Sequence, residues 1–261
     1  LLTIFIVLGA GTMYLMRSDI DRLEDEIDSL YRQGQFETAV TVLKKALQDI
    51  EKSKGQDHRD VATILNRLGG IYRRQGRYAL AEPVLLRALA IREKVYDPED
   101  LQVAQSFNEL GLLYAMQGKY AQAEPLYKRD LAITEKVLGT DHPDVATTLN
   151  NLGALYYRQK QYVLAEPLHK RSLAIREKSL GSDHSDVASS LAGLALLHSA
   201  QGQYAEAEPL LQRSLAIREK ALSPNHPDIA GIQYYLGELY MAQGKNNQAE
   251  PLFERSLTIL E

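Results

Sequence analysis

A repeat of 42 residues runs through the chain and limits what it can fold into. Gln-Gly stands at Gln33-Gly34, Gln75-Gly76, Gln117-Gly118, Gln201-Gly202 and Gln243-Gly244, with Gln159-Lys160 in the remaining slot. Ala-Glu-Pro returns at Ala81, Ala123, Ala165, Ala207 and Ala249 with the same spacing. Asp-His-x-Asp-Val-Ala begins at Asp57, Asp141 and Asp183, and Asn-His-Pro-Asp-Ile-Ala at Asn225. These columns define six units, about 20–61, 62–103, 104–145, 146–187, 188–229 and 230–261. Such self-similarity marks a stack of small units rather than one globular core, because a single unit cannot bury its apolar face alone.

Each unit reads as two helices. In the fourth, Leu149, Leu152 and Tyr156 share one face of helix A, with Gly153 beside them. The Gln-Gly pair supplies the cap and turn. Helix B opens on an aromatic (Phe36, Tyr78, Tyr120, Tyr162, Tyr204) and runs through Ala-Glu-Pro to Leu-Ala-Ile. Its proline is expected in the first turn, where no backbone N–H is needed. Gly69, Gly111, Gly153 and Gly237, with Ala195 in the fifth unit, are expected to let the two helices approach closely. The column Tyr72, Tyr114, Tyr156 and Tyr240, with His198 substituting, is expected to fill the layer between them. That accounts for 15 tyrosines in a chain without tryptophan.

The pattern Leu-x-x-Leu-Gly-x-x-Tyr, followed by Ala past the turn, resembles the tetratricopeptide repeat, whose usual period is about 34 residues. The longer period here extends helix B and the loop after it. The stretch LNNLGALYYRQKQYVLAEPLHKRSLAIREKSLGSDH is similar to the kinesin-light-chain type of repeat. The resemblance covers residues 20–261. It implies an all-α fold, an α-solenoid in which antiparallel helix pairs wind into a right-handed superhelix. It also implies a protein–protein interaction scaffold that holds a partner peptide in its concave groove.

In repeats of this kind the first helices line the concave surface. Counting from Ala146, the residues facing it are Thr147, Asn150, Ala154, Tyr157 and Arg158. Asn66, Asn108 and Asn150 then form one column, continued by Glu24, Ala192 and Tyr234 in the other units. An asparagine amide offers a donor and an acceptor, which suits the backbone of an extended peptide. In the kinesin light chain, groove asparagines of this column take part in holding cargo peptides, and the resemblance carries that role to Asn66, Asn108 and Asn150. The alternative is a structural role, bonding to the neighbouring helix. Asn151, matched by Arg67 and Glu109, reads as a local feature.

Charge along this face is uneven. Asp21, Glu24 and Asp28 come from the first unit, Arg73, Arg74 and Arg158 from the middle, and Tyr234, Glu238 and Met241 from the last. A basic centre with aromatic or thioether neighbours suits an acidic peptide carrying an apolar anchor; the alternative is an ordinary solvated face. Arg87, Arg129, Arg171, Arg213 and Arg255 recur on helix B and read as scaffold ion pairs.

Signals for chemistry are weak. The chain has no cysteine, which excludes disulfides and thiolate metal sites. His58, His142, His184 and His226 share one loop column, which helix packing spaces about 10 Å apart. Zinc ligands lie about 2 Å from one point, so these are turn residues and no metal site is expected. His169 has no partner in view. Gly-rich phosphate loops, HExxH and a serine elbow are absent, so neither catalytic residues nor a cofactor is expected. A net charge of −4 with mixed signs gives no sign of nucleic-acid binding.

The N-terminus is a separate object. Residues 1–16, LLTIFIVLGAGTMYLM, carry no charge, and Arg17 follows. As a helix they would span roughly 24 Å against a hydrocarbon core of about 30 Å. Residues 1–17 read as the last part of a membrane-spanning anchor. A signal segment cleaved near Gly9 to Gly11 would instead leave the array secreted or periplasmic, and a buried capping helix is the third reading. At the other end Phe253, Leu257 and Ile259 lack a capping helix, so further chain or another surface is expected to cover them. Rival functions are a self-assembling structural scaffold and the regulatory arm of a larger enzyme.

Overall fold

The computed structural model describes residues 19–260. The described residues form twelve helices and no strand. The first helices of the pairs are α1 (Asp19–Arg32), α3 (Arg59–Arg74), α5 (Leu101–Met116), α7 (Pro143–Arg158), α9 (Ser185–Ala200) and α11 (Pro227–Ala242). The second helices are α2 (Phe36–Lys54), α4 (Tyr78–Val95), α6 (Tyr120–Leu138), α8 (Tyr162–Leu180), α10 (Tyr204–Ala221) and α12 (Asn246–Leu260). The expected anchor, residues 1–17, lies outside the described residues. None of the described helices is long and apolar enough to cross a membrane.

The local signals act as helix boundaries. His58, His142, His184 and His226 are N-caps: each Nδ1 accepts the N–H of the aspartate two residues on, at 3.1–3.2 Å. Asp100 caps α5 in the same way, accepting from the N–H of Gln102 at 2.7 Å. The capped donors would otherwise be orphans of the first turn. Each first helix from α3 onward is capped by the glutamine that follows it, and the next residue turns left-handed. That residue is glycine except at Lys160, where φ is 59°. The N–H of Gln161 then bonds back to the carbonyl of Tyr156 at 2.8 Å, closing a Schellman turn.

One boundary expectation is corrected. The second helices do start at their aromatics, but this places the proline in the second turn: Pro83 is the sixth residue of α4. The carbonyl of Ala79 loses its helical partner there. Both Ala79 and Pro83 are exposed, so water can satisfy that oxygen.

Within each pair, small residues on the first helix meet large ones on the second. Gly111 lies under Tyr127 and Gly153 under His169; a Cβ at either would come within 3.0 Å of the ring. Tyr72, Tyr114 and Tyr156 are buried between helices. Their column also explains the Glu of Ala-Glu-Pro: Tyr114 donates to Glu82 at 3.1 Å, Tyr156 to Glu124 at 2.9 Å and Tyr240 to Glu208 at 3.0 Å.

Between pairs, arginines near the ends of second helices reach into the next first helix. Arg92 is only 1% exposed and donates from Nη1 to the Gln102 carbonyl at 2.8 Å and to Ser106 at 2.9 Å. Arg176 makes the same two contacts, to the Asp186 carbonyl and Ser190, each at 2.9 Å. Burial lowers the Arg92 pKa to about 10, which leaves it cationic at neutral pH. The outer column pairs as expected of a scaffold: Arg87 with Glu51, Arg171 with Glu135 and Arg213 with Glu177, each at 2.6 Å, while Arg129 lies over the Phe107 ring.

Successive pairs pack side by side into an α-solenoid. From α3 to α11 each first helix also touches the next first helix, whereas second helices stand farther apart. The first helices therefore line the inside of the curve.

Candidate functional site on the concave face

Three cavities open along the first helices. One of about 270 Å³ lies between α1, α3 and α5 and brings together Asn66, Arg73 and Arg74 with Tyr31 and Glu109. A second, of about 400 Å³, lies between α5, α6 and α7 and includes Asn108, Gln105 and Asp130. The third, of about 230 Å³, is aromatic: Tyr157, Tyr204 and Tyr235 border it with Glu238. Asn150, Arg158 and Tyr234 line none of these three.

The asparagine column is not uniform. Asn66 is 5% exposed, and its Oδ1 has no hydrogen-bond partner among the described residues. Asn108 accepts a bond from Asn151 of the following first helix at 2.9 Å. Asn150 faces its own pair, with Oδ1 at 3.1 Å from Nδ1 of His169. His169, which showed no partner in the sequence, is buried between Gly153 and Gly193. Burial, reinforced by the Arg176 charge, lowers its pKa to about 4, so the ring is neutral and its N–H can donate to Asn150.

One member of the predicted basic centre, Arg73, is neutralised within the array, and Arg74 and Arg158 keep their charge exposed. Arg73 is 8% exposed and donates to Glu109 at 3.0 Å and to the Met116 sulfur at 3.6 Å. Arg67 reaches Glu24 at 3.3 Å and Asp28 at 3.2 Å, which also discharges part of the acidic first unit. Arg74 is exposed and stacks over the Tyr31 ring at 4.6 Å. Arg158 is exposed beside Tyr157, and the exposed Tyr234 leans edge-on against Phe253 at 5.6 Å.

Tyr31 and Gln105 were missed in the sequence, yet both were within reach. Tyr31 stands in the Arg73 and Tyr157 column, carried back into the degenerate first unit. Gln105 stands in the Thr147 column. Asp130 sits on a second helix, which no rule about first helices would have selected. No group of three or more His, Cys, Asp or Glu that could hold a metal occurs among the described residues.

The helix pairs, their glycine-capped turns and the face of first helices define a tetratricopeptide repeat array, and the chain belongs to that family. The family model, described as Tetratricopeptide repeat, matches residues 27–94, 60–136, 102–178, 144–220 and 186–261. The repeats are of the kinesin-light-chain-like type. A Podosopora anserina structure named for kinesin light chain, with nearly identical TPR-like repeats, is 29% identical. That match covers 78% of this chain and 96% of that one, with a TM-score of 0.61. A point variant of the same protein is 30% identical over 75% of this chain and 92% of that one, with a TM-score of 0.60. BtubC (BKLC) from P. vanneervenii shares the fold at 22% identity, covering 93% of this chain and 91% of that one, with a TM-score of 0.65. Arrays of this class present extended concave surfaces to other proteins, and this chain has the architecture of a protein-interaction scaffold.

Proposed function

We propose that the array binds an extended segment of a partner protein along its first helices, without catalysing a reaction. The observation that carries this reading is Asn66. A buried amide oxygen left without a partner costs free energy, and this one borders a cavity on the concave face. A peptide N–H would satisfy it. Asn108 and Asn150 continue the same column, each with amide hydrogens available beyond the bonds described above. Acidic residues of the segment suit Arg74 and Arg158, and an apolar anchor suits the tyrosine-lined cavity at Tyr157, with Tyr234 at the far end of the face. A net charge of −4 favours a protein partner over nucleic acid.

The uncharged residues 1–16 support a tether to a membrane. Alkaline carbonate extraction tests it: the chain stays with the lipid pellet if tethered and leaves with the supernatant if not.

The groove is tested by selecting displayed peptides on the 261-residue chain in mild detergent. Enriched peptides lose affinity for Asn66→Leu and for Asn108→Ala/Asn150→Ala, with helicity by circular dichroism unchanged. Peptides that bind these folded variants as tightly as the parent would place recognition elsewhere.

A further inference from the structure

We propose that the cavity between α5, α6 and α7 is a socket for an arginine side chain of the bound segment. The proposal rests on the peptide-groove reading and names one residue type that the segment supplies.

The socket is the place where, between arginine-bearing units, this chain omits its own arginine; Ile50 and Leu260 hold the position in the first and last units. Arg92, Arg176 and Arg218 occupy one column of the second helices, and the third unit has Thr134 there. Where the arginine is present, its guanidinium meets recurring acceptors on the two adjoining first helices. Arg92 and Arg176 donate to the backbone carbonyls of Gln102 and Asp186 and to the hydroxyls of Ser106 and Ser190. Arg176 and Arg218 reach back to the preceding first helix, to Thr147 at 3.1 Å and Ser189 at 3.0 Å. Arg218 also pairs with the Asp228 carboxylate.

Thr134 lines the cavity but brings no guanidinium into it, and the acceptors remain. Asp144 stands in the column of Gln102, Asp186 and Asp228; Thr148 in that of Ser106 and Ser190; Gln105 in that of Thr147 and Ser189. All three line the 400 Å³ cavity. The unit therefore keeps the surroundings of a guanidinium without supplying one.

It also adds a charge. Asp130 stands where Ser172, Ser214 and Ser256 occur in later units. The side chain is 4% exposed and lines the cavity, accepting from Thr148 at 2.6 Å and Thr134 at 3.0 Å. Its charged neighbour Asp144 has the same sign, and burial above all raises the Asp130 pKa to about 6. A carboxylate taken out of water calls for a cation, and a planar guanidinium fits both the carboxylate and the surrounding acceptors. The mouth of the cavity is bordered by Gln105, Asn108 and Thr147, on the face where the segment would lie.

The test uses one capped residue as probe. The 261-residue chain is titrated with N-acetyl-arginine amide and, separately, with its neutral isostere N-acetyl-citrulline amide, while amide resonances are followed. Expected are saturable shifts centred on Asp130, Asp144 and Thr148, with citrulline weaker by roughly tenfold or more. Asp130→Ser/Thr134→Arg rebuilds the Ser172–Arg176 arrangement and removes the response. If that variant does not fold, Asp130→Ser alone, which keeps the cavity, carries the comparison and must weaken arginine binding. Equal response to citrulline, an unchanged response in the folded variants, or no saturable shift at these residues overturns the socket. Because the probe is a single residue, such a failure leaves the peptide test of the groove standing.

Discussion

Asn151 donates from its amide to Oδ1 of Asn108 at 2.9 Å, joining α7 to α5 on the concave face. Two units earlier Arg67 makes the equivalent contact, to Glu24 at 3.3 Å, again 43 residues back in the chain. The position after the asparagine column thus fastens each unit to its predecessor where side chains permit. This bond is worth about 0.5–1.5 kcal/mol. A double-mutant cycle of Asn108→Ala and Asn151→Ala in denaturant is expected to return a coupling of that size; additivity of the two would show that the bond contributes nothing in solution.

Asn66 separates stability from binding. Asn66→Leu removes a buried oxygen that has no protein partner, so stability is expected to hold or rise by up to about 2 kcal/mol. Peptide affinity is expected to fall in the same variant. Urea unfolding read alongside peptide titration checks both; destabilisation with unchanged affinity would make Asn66 a scaffold residue.

His169 gives the array an acid-side slope. Its ordinary pKa of 6.5 falls to about 4 in the fold, so the unfolded chain binds the proton more readily between those values. Its contribution is full above pH 6.5 and is lost as pH falls toward 4, about 3 kcal/mol in all. His169→Leu, which matches Leu85 and Leu211 in the same column, is expected to remove this slope from stability measured between pH 7 and pH 4.

Asp130 acts in the opposite sense. Its pKa rises from 3.8 to about 6, so the folded chain holds the proton more tightly. The stability tied to that proton is full below pH 3.8 and is lost as pH rises through 6. Relative to the parent, Asp130→Ser is expected to gain about 3 kcal/mol between pH 4 and pH 7. A pH-independent difference between the two would rule this out.

Lys160 adopts the left-handed conformation with φ of 59°, a place that glycine takes at Gly76, Gly118, Gly202 and Gly244. That conformation costs a side-chain-bearing residue about 1–2 kcal/mol. Lys160→Gly is expected to stabilise by up to about 1 kcal/mol, the remainder being offset by the freedom of glycine in the unfolded chain. A lower denaturation midpoint would contradict this.

The fold was legible because its columns are local. Leu149, Leu152 and Tyr156 announce a helix face, and the histidine column announces a loop, without knowledge of any neighbour. Side chains that cross between units were not legible. In Ile-Arg-Glu-Lys, Arg92 and Arg176 look like solvated cations at a helix end; only the following first helix buries them. Asn151 read as a local feature because its partner lies in another unit. His169 could have been placed, since its column holds Leu85, Tyr127, Leu211 and Phe253, all fillers of the core. The direction of Asn150 could not, because it depends on that histidine.

Each helix packs chiefly against its immediate neighbours, and the first helices also meet the next of their kind. A disturbance at Asn66 therefore has no direct route to Tyr234, and the two ends of the face can diverge without consulting each other. Recognition in such an array is written like a line of separate letters: exchanging one unit respells one position of the partner, while duplicating a unit lengthens the word and leaves the existing letters as they were.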